Sequence, residues 1–119
     1  MNKAAILLLL VMAVSFVNSH ALGKFFLDEP LRRGETEIAY VTIRNRFNVE
    51  LEDVDVKFHI YDLGLWYSSI PGDIDDRDHV IQNVFLDIPR DVKPGLYLTK
   101  ITAGNDRFRD TQHVYLRIV

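Results

Sequence analysis

An acidic segment between residues 73 and 78 holds the densest group of side chains that could do chemistry. It reads Asp73-Ile74-Asp75-Asp76-Arg77-Asp78, and closely spaced carboxylates can converge on calcium, which takes about six to eight oxygen ligands. The spacing departs from an EF-hand, because Arg77 stands where a third acidic ligand is needed and Val84 where a closing glutamate is needed. We predict either a solvated polar loop or a weak calcium site, with no other cofactor; the candidate ligands are Asp73, Asp75, Asp76 and Asp78.

Histidine offers the other strong metal ligand, since the sequence contains no cysteine. Cleavage of a leader before His20 would expose an amine and a ring nitrogen that together could chelate copper. Periplasmic copper-carrier sandwiches resemble the chain at His20-Ala21, but they carry a histidine before the last strand where this chain has Asn105-Asp106-Arg107. His59 and His113 fall on the polar faces of predicted strands, so we expect surface imidazoles there.

Patterns that support catalysis are absent from this sequence. Ser68 and Ser69 lie outside any Gly-x-Ser-x-Gly nucleophile elbow, and no glycine-rich phosphate loop occurs. The lack of cysteine also excludes thiol catalysis. We therefore predict that the protein is not an enzyme.

Three segments instead suggest binding. Arginine and phenylalanine, which are favoured at interfaces, occur together in two predicted loop tips, giving the candidates Arg46, Phe47, Arg107 and Phe108. A third candidate is the predicted edge strand Lys24–Asp28, where Phe25, Phe26 and Leu27 follow one another. This strand could pack on its own domain, exchange into a neighbouring copy, or stay partly open for a different surface protein.

The first 21 residues have the features of a secretory signal peptide. The apolar run Ala4–Val17 follows Lys3 and precedes Asn18-Ser19-His20-Ala21, and it is short for a membrane span. We expect cleavage before Leu22 or before His20, with an uncleaved anchor as a third possibility. The mature domain, residues 22–119, would be secreted or held at the cell surface. Its 13 basic and 17 acidic residues argue against nucleic acid and anionic lipid as partners.

Alternation of apolar and polar residues predicts that the mature domain is all β. Val54, Val56, Phe58 and Ile60 alternate with polar residues, which puts one set in a core and the other in water. The other strands are expected at Lys24–Asp28, Ile38–Asn45, Leu65–Tyr67, Val80–Ile88, Leu96–Ala103 and Thr111–Val119.

Turn residues separate these strands. Pro71-Gly72-Asp73 predicts a polar loop, and Pro94-Gly95 predicts a type II turn with Gly95 at positive φ. Trp66 is expected to anchor the core or a sheet edge. The fold predicted is an Ig-like antiparallel Greek-key β-sandwich of about seven strands, preceded by a signal-peptide helix.

Two parts of the sequence resemble CARDB-like and related Ig-like adhesion domains of bacterial and archaeal secreted proteins. Val41-Thr42-Ile43-Arg44-Asn45 with Glu52-Asp53-Val54-Asp55-Val56 is similar to their first half, and Leu86-Asp87-Ile88-Pro89 with the segment Val92–Tyr97 to their second half. The resemblance implies a non-catalytic structural or adhesion module at the cell surface. It also implies a protein or surface-layer component as partner, with self-association as a further possibility.

Overall fold

The computed structural model describes residues 21–119, in which nearly every element is a β-strand. Predictions for the signal-peptide helix and for His20 lie outside the described residues. Within residues 21–119 no helix is long and apolar enough to cross a membrane. The elements are β1 (Leu22–Phe26), β2 (Thr36–Arg44), β3 (Leu51–Ile60), a 3-10 turn (Tyr61–Leu63), β4 (Leu65–Ser68), β5 (Gly72–Ile74), β6 (His79–Asp87), β7 (Gly95–Gly104) and β8 (Arg109–Ile118).

The strands form two antiparallel sheets that face each other. The smaller sheet has the order β1-β2-β6, and the larger has the order β4-β3-β7-β8. Strands β4 and β5 follow each other along the same edge of β3, β4 against residues 57–60 and β5 against residues 51–54. This arrangement confirms the predicted all-β sandwich.

Period-2 alternation decides which side chains enter the core. Val54, Val56, Phe58 and Ile60 of β3 are all completely buried, as the sequence predicted. The inward residues of three other strands are also buried, namely Val41 and Ile43 on β2, Val84 and Leu86 on β6, and Val114, Leu116 and Ile118 on β8. Between the sheets, Phe25 of β1 meets Phe58 edge to face, with ring centroids 6.4 Å apart.

Two details of the sequence prediction are wrong. The segment Gly72–Ile74, expected as a polar loop, is a short strand, because Ile74 is fully buried and pairs with Leu51. The described residues therefore form eight strands rather than about seven. Gly95 does not adopt positive φ. It begins β7 opposite Ile118, and this pairing requires extended backbone rather than the expected turn conformation.

Candidate functional site

A buried asparagine joins two loops at one end of the sandwich. Asn45 is 1% exposed, and its Nδ2 donates to the carbonyl oxygens of Val49 at 2.8 Å, Ile74 at 3.1 Å and Asp75 at 3.0 Å. Its Oδ1 accepts a hydrogen bond from the Phe47 N–H at 2.9 Å. The β2–β3 loop is therefore fixed against the β5–β6 loop, and the position of Phe47 is fixed with it.

Asn105 forms a similar turn in the β7–β8 loop. Its Oδ1 accepts from the N–H groups of Arg107 at 2.8 Å and Phe108 at 3.2 Å, and its Nδ2 donates to the Glu52 carbonyl at 2.8 Å. The rings of Phe47 and Phe108 meet edge to face with centroids 6.4 Å apart. The structure thus brings together two interaction candidates from distant parts of the chain.

These phenylalanines form one end of a groove on the outer face of the larger sheet. The groove has a volume of about 840 Å³ and extends across β3 and β7 to Trp66 on β4. That volume lies within the range of ligand sites in proteins, about 300–1,000 Å³. Arg107 also lines the groove, whereas Arg46 does not; Arg46 is exposed on the neighbouring loop.

Four stacked or hydrogen-bonded rings, which we call the aromatic row, stand on the outer face of the larger sheet. Trp66 and His59 are cross-strand partners whose rings stack with centroids 3.7 Å apart and planes 10° apart. His59 in turn meets Tyr61 at 4.7 Å. The Tyr61 hydroxyl and His113 Nε2 are 2.9 Å apart, within hydrogen-bond distance. His59 and His113 are on the polar face, as predicted.

Trp66 is 61% exposed, although the sequence allowed it to be a core residue. It lies at the sheet edge, which was the other expectation. The sequence did not reveal that Trp66 and His59 are neighbours, because their pairing depends on the register of β3 against β4 across the 3-10 turn. The alternation of apolar and polar residues in the sequence did predict that His59 lies on the outer face, and this was the signal available for the site.

The four candidate aspartates for calcium are all exposed and lie beside the loop that Asn45 holds. Asp73 accepts a hydrogen bond from the Asp53 N–H, and Asp78 accepts one from the His79 N–H. Desolvation, followed by the negative charges of Asp73 and Asp75, raises the pKa of nearby Glu50 above its ordinary value. Across residues 21–119, no group of three or more histidine, aspartate or glutamate side chains is arranged to hold a metal ion.

The smaller sheet carries an apolar outer face. Phe25 of the predicted edge strand is buried, whereas Phe26 is 54% exposed and pairs with Tyr40 on β2. Phe85 on β6 is 55% exposed and pairs with Ile38. Phe26 and its neighbours thus form a second exposed surface, on the side of the sandwich opposite the groove.

Neither Ser68 nor Ser69 is arranged as a nucleophile. Ser69 is buried, and its hydroxyl accepts from the Val56 N–H and donates to Gln82. It therefore fastens the segment between β4 and β5 to β3 and β6. Ser68 is exposed on β4 opposite Lys57.

Comparison with known proteins gives structural similarities without sequence similarity. No family model matches the sequence, and no curated protein sequence matches it. The CARDB domain of the PF1109 protein from Pyrococcus furiosus, solved in complex with di-metal ions, aligns with a TM-score of 0.62 and 9% identity over 92% of this chain and 96% of that one. A family 123 glycoside hydrolase from Clostridium perfringens aligns with a TM-score of 0.54 and 11% identity over 75% of this chain and 22% of that one. The resemblance expected from the sequence is confirmed at the level of the fold: this chain has a CARDB-like β-sandwich.

Proposed function

We propose that this protein is a non-catalytic, exported interaction module that acts at the cell surface and binds its partner in the groove of the larger sheet. The observation that carries the proposal is Trp66, which is 61% exposed at the end of that groove. Large aromatic side chains exposed together with polar groups are typical of binding surfaces. Arg107 and Phe108 at the opposite end belong to the residue types favoured at interfaces.

Binding to cell envelopes tests this function. Purified mature protein is mixed with envelopes of the producing cells and sedimented, and the bound fraction is measured over a range of protein concentrations. We expect the wild type to bind and Trp66→Ala to bind about 10-fold more weakly, which is the typical effect of losing an aromatic contact that carries much of the binding energy. Tyr40→Ala is the matched control, since Tyr40 is an exposed aromatic residue on the opposite sheet. Failure of the wild type to bind, or equal loss in both variants, would contradict the proposal.

Export is tested separately by mass spectrometry of the mature amino terminus. Ala21 is buried, its carbonyl accepts from the Arg44 N–H at 2.8 Å, and its N–H donates to Asp110 at 2.8 Å. Cleavage before Leu22 would remove these bonds, whereas cleavage before His20 would keep them. We therefore expect processing before His20, and an unprocessed chain in the culture medium or envelope fraction would argue against a cleaved leader.

Self-association is a second way in which the module could act at a surface. The outer face of the smaller sheet exposes Phe26, Tyr40, Ile81 and Phe85, and large exposed apolar patches commonly mark interfaces. Because the domain is acidic, added salt should screen repulsion between copies. We expect a monomer at low salt and larger species at high salt, with Phe26→Asp staying monomeric. Light scattering that shows a monomeric wild type at every salt concentration would exclude this mode.

Weak calcium binding at Asp73, Asp75, Asp76 and Asp78 is a third candidate, favoured by the metal complex of the Pyrococcus CARDB domain. Besides desolvation, the negative charges of Asp73 and Asp75 raise the pKa of Glu50. These carboxylates repel one another, and a bound cation would relieve that repulsion. We expect calcium at about 5 mM to raise the melting temperature of the wild type but not of Asp75→Asn. Equal melting temperatures with calcium and with a chelator would rule the site out. The same titration with copper tests His20 when the mature chain retains it.

A further inference from the structure

The position of Trp66 leaves one ring face available to a ligand. Trp66 lies on β4 at the edge of the larger sheet, and His59 covers the face that points towards β3. Since the side chain is nevertheless 61% exposed, its remaining face and edges are open to solvent. An aromatic ring in this position offers a flat apolar surface beside a polar groove.

The aromatic row holds this surface in place. His59 stacks on Trp66, Tyr61 contacts His59, and Tyr61 and His113 share a hydrogen bond. These contacts join residues of β3, the 3-10 turn, β4 and β8. A side chain that is already ordered loses little conformational entropy when it binds, so the row is organised in advance for a planar partner.

A row of hydrogen-bonding side chains runs beside the aromatic row. Lys57 is the cross-strand partner of Thr102, which in turn pairs with Thr111. Lys57 lies two residues before His59 on the same face of β3, so the two rows are about 7 Å apart. A glycan that contacts Trp66 with one sugar would therefore bring its adjoining sugars within reach of ammonium and hydroxyl groups.

The charge of the groove selects against charged polymers. Its lining contains five acidic and four basic side chains, namely Glu50, Glu52, Asp53, Asp55, Asp106, Lys57, Lys100, Arg107 and Arg109. Nearly balanced charges produce no strong field of one sign, which a polyanion such as nucleic acid or a polycation would need. The same groups offer many donors and acceptors to an uncharged ligand rich in hydroxyls.

We propose that this groove binds a neutral glycan, with one sugar ring packed against the exposed surface of Trp66 and the hydroxyls of adjoining sugars bonded to Lys57 and Thr102. The apolar face of a pyranose ring matches an aromatic surface, and the equatorial hydroxyls of the adjoining sugars match the flanking polar row. The open groove, which extends from Trp66 to Phe47 and Phe108, admits several linked sugars. This inference rests on the proposed function and specifies the chemistry of the partner.

Fluorescence titration with defined sugars tests the proposal directly, because the sequence contains one tryptophan and it is the residue in question. The ligands are cellohexaose, chitohexaose, mannohexaose and maltohexaose, with heparin as a polyanion for comparison. We expect at least one neutral hexasaccharide to change the Trp66 emission with a dissociation constant between about 10 μM and 1 mM. Binding of heparin alone, or no response to the four sugars up to about 5 mM, would overturn the proposal.

Variants assign the binding to the groove, with affinities measured by calorimetry and folding verified by circular dichroism. Trp66→Ala should weaken binding about 10-fold, Trp66→Tyr should retain most of it, and Tyr40→Ala on the opposite sheet should leave it unchanged. Equal weakening by Trp66→Ala and Tyr40→Ala would overturn the assignment. Periodate oxidation of the envelopes separates this inference from the proposed function. If envelope binding depends on Trp66 but survives oxidation, the interaction module stands and the glycan is excluded; loss of binding on oxidation supports the glycan.

Discussion

Replacing Asn45 with alanine should lower the free energy of unfolding by about 3 kcal/mol. Asn45 is 1% exposed and donates to three backbone carbonyls, among them that of Ile74, whose side chain is also buried. Its amide accounts for about two or three net hydrogen bonds at about 1 kcal/mol each, and a buried carbonyl left without a donor costs about 1–3 kcal/mol. Partial access of water to the Val49 and Asp75 carbonyls keeps the total near the lower end of that sum.

Asn105→Ala provides the matched comparison, because Asn105 makes the same kind of turn but is half-buried. Water can replace its contacts to Glu52 and Arg107, so we expect a loss of about 1 kcal/mol. Urea unfolding followed by far-ultraviolet circular dichroism measures both variants, with an unchanged dependence on urea as the sign of two-state behaviour. For a domain of this size the Asn45 variant should also melt about 15 °C lower.

Equal losses in the two asparagine variants would refute this reasoning, since burial is the main difference between the two sites. A second consequence concerns the groove. Asn45 fixes Phe47 and Asn105 fixes Phe108, so each variant should weaken ligand binding less than Trp66→Ala does. If either asparagine variant remains folded but loses all ligand binding, the binding energy comes mainly from the end of the groove at Phe47 and Phe108 rather than from Trp66.

Val56→Ala should lower the free energy of unfolding by about 2 kcal/mol, because Val56 is fully buried. Asp55→Ala, on the opposite face of β3, should lower it by less than about 0.5 kcal/mol. Equal losses in urea unfolding would contradict the assignment of the two faces of β3. Burial raises the pKa of Glu29 from 4.5 to about 7, so the native state retains a proton that the unfolded chain releases. The contribution of Glu29 to stability should therefore be complete below about pH 4.5, fall as the pH rises to about 7, and stay level above that. Glu29→Gln should remove this dependence, and parallel pH profiles of the urea midpoint for the two proteins would argue against it. A Cβ at Gly104 would lie 2.9 Å from the Arg109 Cα and closer still to the Phe108 carbonyl. Gly104→Ala should therefore cost more than about 2 kcal/mol, against about 1 kcal/mol for Gly64→Ala at φ 61° in open space; similar melting temperatures would show that the β7–β8 turn can relax.

The sequence determined the class of fold and the facing of the strands because both follow from local alternation. Val54, Val56 and Phe58 had to lie on one face of β3, and their burial specified the core. The same rule placed His59 and His113 outside. Turn residues were less informative. Pro94-Gly95 fits a type II turn in isolation, but Gly95 pairs with Ile118 of β8 in the structure.

Only the tertiary structure decided what these outer residues form together. Trp66 contacts His59 because of the register between β3 and β4. Phe47 contacts Phe108 because two loops meet, although the two residues are 61 positions apart in the sequence. Alternation gives the face on which a side chain lies, but it does not give the order or register of the strands. Those depend on the closing of loops and on long-range packing between the sheets. The groove that extends from Trp66 to Phe47 and Phe108 exists only because the strand pairing and the loop contact occur together.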